Sequence, residues 1–179
     1  MRPMLLAAGA LALAAPASAH VVLSPGQSTP GAYYVGAFRV SHGCAGSPTL
    51  ALTVSIPAGI VSAKPQPKPG WTVEIAREPL ASPVKGEGGR MIRERVKSIT
   101  WRGRLADDEF DEFRVMAKLP DAAGRLYFPA VQTCEAGEAR WTELPGPDKA
   151  RLANPAPKLD VQPQATDGDA MPGMDMHHH

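Results

Sequence analysis

The sequence predicts an all-β fold, an antiparallel β-sandwich, immunoglobulin-like in the broad sense, with about seven strands. Three observations carry this. Short runs alternate apolar and polar residues with a period of two. The 19 prolines and 17 glycines are scattered between those runs, which leaves little room for a helix. Seven such runs fall within about 120 residues, a spacing typical of a sandwich.

AYYVGAFRV (32–40) is the first run. TLALTVSIP (49–57) alternates most clearly: Leu50, Leu52, Val54 and Ile56 share one face, Thr53 and Ser55 the other. WTVEIAR (71–77) and RVKSITW (95–101) follow. In EFRVMAKL (112–119), Phe113, Val115, Ala117 and Leu119 alternate with Arg114, Met116 and Lys118. RLYFPAV (125–131) and EARWTEL (138–144) complete the set. Pro/Gly clusters separate the runs, and KPQPKPG reads as a polyproline-like loop ending in a turn before Trp71. ADDEFDEF fits either a strand entry or one helical turn.

Residues 1–19, MRPMLLAAGALALAAPASA, carry a short positive start, an apolar run and an A-x-A site at Ala17–Ala19. They are expected to be a secretory signal peptide, since the apolar run is too short and too small-residued for a membrane span. Residues 20–160 are expected to form one domain. Residues 161–179, polar and Pro/Gly-dotted, are expected to be a disordered tail. No later segment is apolar enough to span a membrane, so a periplasmic or secreted protein is expected. The formal net charge of +1, without a basic block, argues against nucleic acid as a partner.

Cys44 and Cys134 are the two cysteines. In an exported chain an even pair favours a disulfide. The alternative, a thiolate metal site, lacks the tight C-x-x-C spacing.

Cleavage after Ala19 would make His20 the N-terminus. Its α-amine and ring Nδ1 can then close a six-membered chelate on one metal ion. Such nitrogen ligands suit Cu(II). Both must be deprotonated, so binding strengthens with rising pH across the neutral range. Asp107, Asp108, Glu109, Asp111 and Glu112 crowd one segment, and Phe110 and Phe113 interleave them. Interleaved aromatics are expected to bring some of these carboxylates against the domain, where one could complete a copper site. Trp141 either covers such a site or packs in the core. His42 is read as a loop imidazole beside the disulfide, with a second copper histidine as the alternative. The tail adds Met171, Met174, Met176, His177, His178 and His179. Thioethers prefer Cu(I) and imidazoles also accept Cu(II), so copper capture by the tail stands beside plain disorder.

The blocks HVVLSPGQSTPGAYYVGAFRVSHGCAGSPT, IPAGIVSAKPQPKPGW, ITWRGRLADDEFDEFRVMAKLP and LYFPAVQTCEAGEARWTELPG resemble the YcnI-like copper-binding domain, over about residues 20–160. That resemblance implies an exported, cupredoxin- or immunoglobulin-like β-sandwich linked to copper handling. It implies a Cu(II) site on the mature N-terminal histidine, a monohistidine brace, with a carboxylate and a tryptophan. The histidine is His20 and the tryptophan Trp141. The carboxylate aligns best on Asp107, with Asp108 and Glu109 as fallbacks. The HGC and QTCEAGEARW blocks match the subset with a cysteine pair.

The expected function is a periplasmic copper chaperone or buffer, not an enzyme, with copper transporters or other periplasmic copper proteins as partners. No nucleophile–base constellation appears, and G-x-S-x-G and H-E-x-x-H are missing. Two alternatives stand: a copper oxidase or oxygenase, similar to lytic polysaccharide monooxygenases at His20 only, and a metal-free interaction module.

Overall fold

A computed structural model describes residues 20–148 and 151–163. The expected signal peptide, 1–19, and the Met/His ligands of the tail lie outside the described residues. No α-helix occurs among the described residues, only one 3-10 turn at Glu87–Gly89.

The chain forms an antiparallel sandwich. One sheet orders β1 (Val22–Ser24), β3 (Tyr33–Val40), β8 (Asp111–Lys118) and β5 (Ala63–Pro65) as β1-β3-β8-β5. The other orders β11 (Glu138–Trp141), β10 (Ala130–Cys134), β4 (Thr49–Ser55), β7 (Met91–Leu105) and β6 (Thr72–Lys85) as β11-β10-β4-β7-β6. A small third sheet places β12 (Lys158–Val161) between β2 (Gln27–Ser28) and β9 (Gly124–Tyr127). Its β12–β2 pairing is parallel and ties the end of the domain to its beginning.

All seven sequence runs appear as strands, and five further points were not legible. The short strands β1, β2, β5 and β12 carry too few residues to show a period. The run 125–131 divides at Phe128-Pro129 into β9 and β10, which belong to different sheets.

The alternation in β8 holds in full: Phe113, Val115, Ala117 and Leu119 are buried between exposed neighbours. In β4 it slips. A register shift between Thr49 and Ala51 turns Thr49 fully inward, at 0% exposure, and leaves Leu50 only half-buried. Thr49 is tolerated there because Gln132 Nε2 donates to its hydroxyl at 2.7 Å. KPQPKPG forms the expected turn: Trp71 N donates to the Lys68 carbonyl and Gly70 takes φ 76°.

The core lies between the two larger sheets. Phe38, Leu52, Ile99, Trp101 and Phe113 are fully buried. Each such side chain contributes roughly 1.5–3 kcal/mol by leaving water. Trp101 and Trp71 both pack on Phe113, with ring centroids 5.5 and 4.8 Å away.

Candidate metal centre

His20 directly precedes β1. Strand β1 is the edge of its sheet, and Val22 pairs with Arg39 of β3. That register, continued outward, sets His20 level with Ser41, beside the turn at His42–Ser47. Strand β11 is the edge of the facing sheet, and its last residue, Trp141, pairs with Ala130. The two edges meet where the half-buried His20 ring lies 5.2 Å from the Trp141 ring, tilted by 47°.

Trp141 is only 6% exposed, and its indole Nε1 is buried without a hydrogen-bond partner. Such an orphaned donor costs about 1–3 kcal/mol. Trp101 Nε1 is the same, but it sits in the closed centre of the sandwich against Phe113. Trp141 instead borders His20. An indole N–H donates and cannot ligate a metal. It suits an oxygen ligand on a metal, and its ring shields the imidazole from water.

Asp107 opens the turn after β7. It is half-buried, and its Oδ1 accepts the Gly43 backbone N–H at 3.0 Å. Only glycine fits at 43, because a Cβ there would stand 1.9 Å from the Ser47 carbonyl oxygen. The Gly43 turn is itself held from three sides. Cys44 is bonded to Cys134, Gln132 Nε2 donates to the His42 carbonyl at 2.7 Å, and Ala136 N donates to Ser47 Oγ at 2.8 Å.

The remaining acids are otherwise engaged or open to water. Asp111 pairs with Lys68 at 2.5 Å. Glu112 pairs with Arg39 and Arg114, whose hydrogen bonds and charge hold its carboxyl below the usual range. Glu109 accepts from Ala106 N at 3.4 Å, capping its own turn, and Asp108 is exposed. Phe110 departs from expectation: it is 68% exposed rather than pressing the acids inward. It has the opposite parity to Asp111 and Phe113 on the way into β8, so it faces out. Asp107 is brought against the domain by the Gly43 amide instead.

His42 is a loop imidazole beside the disulfide, its Nδ1 2.5 Å from the Gly43 carbonyl. Among the described residues, no three His, Cys, Asp or Glu side chains converge as a metal-binding group. Sequence reasoning passed over Gly43 and Gln132. Gln132 was legible: it falls between Ala130 and Cys134 on the inward face of β10, where a polar side chain must have a structural partner.

Comparison with known proteins places the chain among relatives. The chain is 26% identical over 157 residues to copper-binding protein CutI of Bacillus subtilis (strain 168), covering 86% of this chain and 68% of that protein. A crystal structure of an uncharacterized protein from Nocardia farcinica, reported to have an immunoglobulin-like fold, superposes with a TM-score of 0.58 at 29% identity. It covers 79% of this chain and 97% of that one. The profile of the domain of unknown function DUF1775 matches residues 20–161, and the chain belongs to that family.

Proposed function

We propose that this chain is an exported copper-binding protein that holds Cu(II) through His20 and acts as a copper chaperone or buffer. The observation that carries the reading is the pairing of the first domain residue with Trp141, whose buried indole N–H has no partner. His20 would supply ring nitrogen and α-amine to the ion, and Asp107 a carboxylate oxygen. Trp141 would donate to an oxygen ligand and keep water away. Copper is cargo here, so no reaction step is required of the protein.

The name of the Bacillus subtilis relative supports copper as the ion. The Cys44–Cys134 disulfide supports an oxidising, extracytoplasmic compartment. Among the described residues no helix is long and apolar enough to cross a membrane. The Met and His residues from Met171 to His179 would add a second capture point.

A Cu(II) titration followed by electron paramagnetic resonance tests the brace. Two proteins are compared, both ending at Asp160 and so without the tail ligands. One begins at His20, and the other carries one extra residue before it. Tight one-to-one binding with nitrogen hyperfine structure is expected only from the first. Equal binding by both forms would place the ion elsewhere.

A further inference from the structure

The chain's cations divide into two groups. Ten of the described Lys and Arg residues form ion pairs, among them Arg39, Lys68, Arg95 and Arg125. Lys64, Lys85, Arg90 and Lys118 form none among the described residues, and all four line a single cleft. That cleft, of about 600 Å³, lies between the tip of the β6–β7 hairpin and the β5–β8 edge of the facing sheet. Among the described lining residues its one carboxylate is Asp121. Arg77 and Arg93, also without an ion pair, lie on the same hairpin. Of the described Lys and Arg residues without an ion pair, all but Arg151 thus lie in this cleft or on this hairpin, which also carries Glu94.

The cleft is also apolar. Tyr33, Val84 and Met116 line it and remain exposed, Tyr33 at 53%. Lys118 lies over the Tyr33 ring at 5.0 Å and donates to the Gly31 carbonyl, which fixes its ammonium at the wall. A volume of this size holds a small molecule. Strand addition to β5 is disfavoured, because Pro65 has no N–H to offer. Tyr33 begins β3 and Val40 ends it, so the cleft lies at the opposite end of that strand from the His20 corner.

We infer that this cleft binds an acidic phospholipid, its anionic headgroup held by Lys64, Lys85 and Arg90 and its apolar part lying on Tyr33, Val84 and Met116. Met91, at the same hairpin tip, is exposed as well. The site is separate from His20 and does not depend on copper binding.

Binding of monomeric dihexanoylphosphatidylglycerol tests this by titration against dihexanoylphosphatidylcholine, with the chain from His20 to His179. Binding of the anionic lipid alone is expected, falling with added salt. In the Lys85→Glu/Arg90→Glu variant its affinity is expected to drop about tenfold or more. Should that variant unfold, Lys64→Gln/Arg90→Gln serves in its place, with cooperative thermal unfolding as the check. Co-sedimentation with phosphatidylglycerol vesicles then separates the sources. Vesicle binding means the lipid is engaged in a bilayer, and binding of the monomer alone means it is taken up as a free amphiphile; both support the site. Equal affinity for the two lipids, no binding of either, or an unchanged affinity in the folded variant would overturn it. Cu(II) titration of the same variant is expected to be unchanged, so the two sites succeed or fail separately.

Discussion

Asp107 Oδ1 accepts the backbone N–H of Gly43 at 3.0 Å, across 64 residues of sequence. The bond joins the acidic turn after β7 to the disulfide-bonded turn after β3, and the second carboxylate oxygen lies toward Gly46 of that turn. Asparagine keeps an acceptor at that position and removes the charge. Asp107→Asn is therefore expected to cost only about 1 kcal/mol of stability, the difference between a charged and a neutral hydrogen bond. Its Cu(II) affinity is expected to fall by about tenfold or more. Asp108→Asn and Glu109→Gln, both exposed, are expected to leave affinity near the parent. Competition titration with a copper chelator, beside thermal unfolding, checks all three; parent-like affinity in Asp107→Asn would remove it from the site.

Trp141 gives an optical readout of the same corner. Cu(II) is paramagnetic and quenches a nearby indole. With its ring 5.2 Å from His20, Trp141 is expected to lose most of its emission when copper binds. Trp71 and Trp101 pack around Phe113 and are expected to respond less. Trp141→Phe keeps the packing, removes the orphaned N–H, and is expected to abolish most of the copper-dependent change. Quenching that persists in this variant would place the ion nearer another tryptophan.

The residues that make this corner differ in how far the sequence reveals them. Strand β8 was readable because both of its faces have one fate each: Phe113 to Leu119 alternate between core and water without a break. Strand β4 was readable only in part, because a register shift beside Thr49 depends on its neighbour β7 and leaves no local mark. His20 and Trp141 could be singled out as residues. Their proximity was implied by the family resemblance but not by the strand pattern, since the contact joins the edges of two different sheets. Among the five acids of its segment, Asp107 was singled out only by the family resemblance, and Phe110 was given the wrong role. Aromatic character alone does not say which side of an incoming strand a residue takes.

The disulfide is expected to stabilise the fold without serving the metal. It spans a separation of 90 residues, which on the chain-entropy model stabilises by roughly 4–5 kcal/mol. Cys44→Ser/Cys134→Ser is expected to lower Tm by ten degrees or more, on the scale of about 2–4 °C per kcal/mol for a domain of this size. Gln132 and Ser47 still hold the turn through their own bonds, so Cu(II) binding is expected to survive at temperatures where the variant is folded. A folded variant that no longer binds copper would make the cysteines ligands.

Tyr34 predicts the alkaline limit of the fold. Its hydroxyl donates to the Pro25 carbonyl at 2.5 Å, and burial pushes its pKa up from 10.0 to about 12. The buried phenol is favoured in its neutral form, so the folded state holds the proton longer than the unfolded one. The group's contribution is therefore fully present below pH 10 and lost as pH rises from 10 towards 12. Ionisation would also remove the donor from the bond to Pro25. Tyr34→Phe is expected to cost about 1 kcal/mol at neutral pH, where the hydrogen bond to the Pro25 carbonyl is lost. Above pH 10 its stability should fall less steeply than the parent's, and the two curves should converge. Urea unfolding of both proteins at neutral pH and through that range measures the difference; parallel alkaline limbs would show that Tyr34 ionises no later in the folded chain than in the unfolded one.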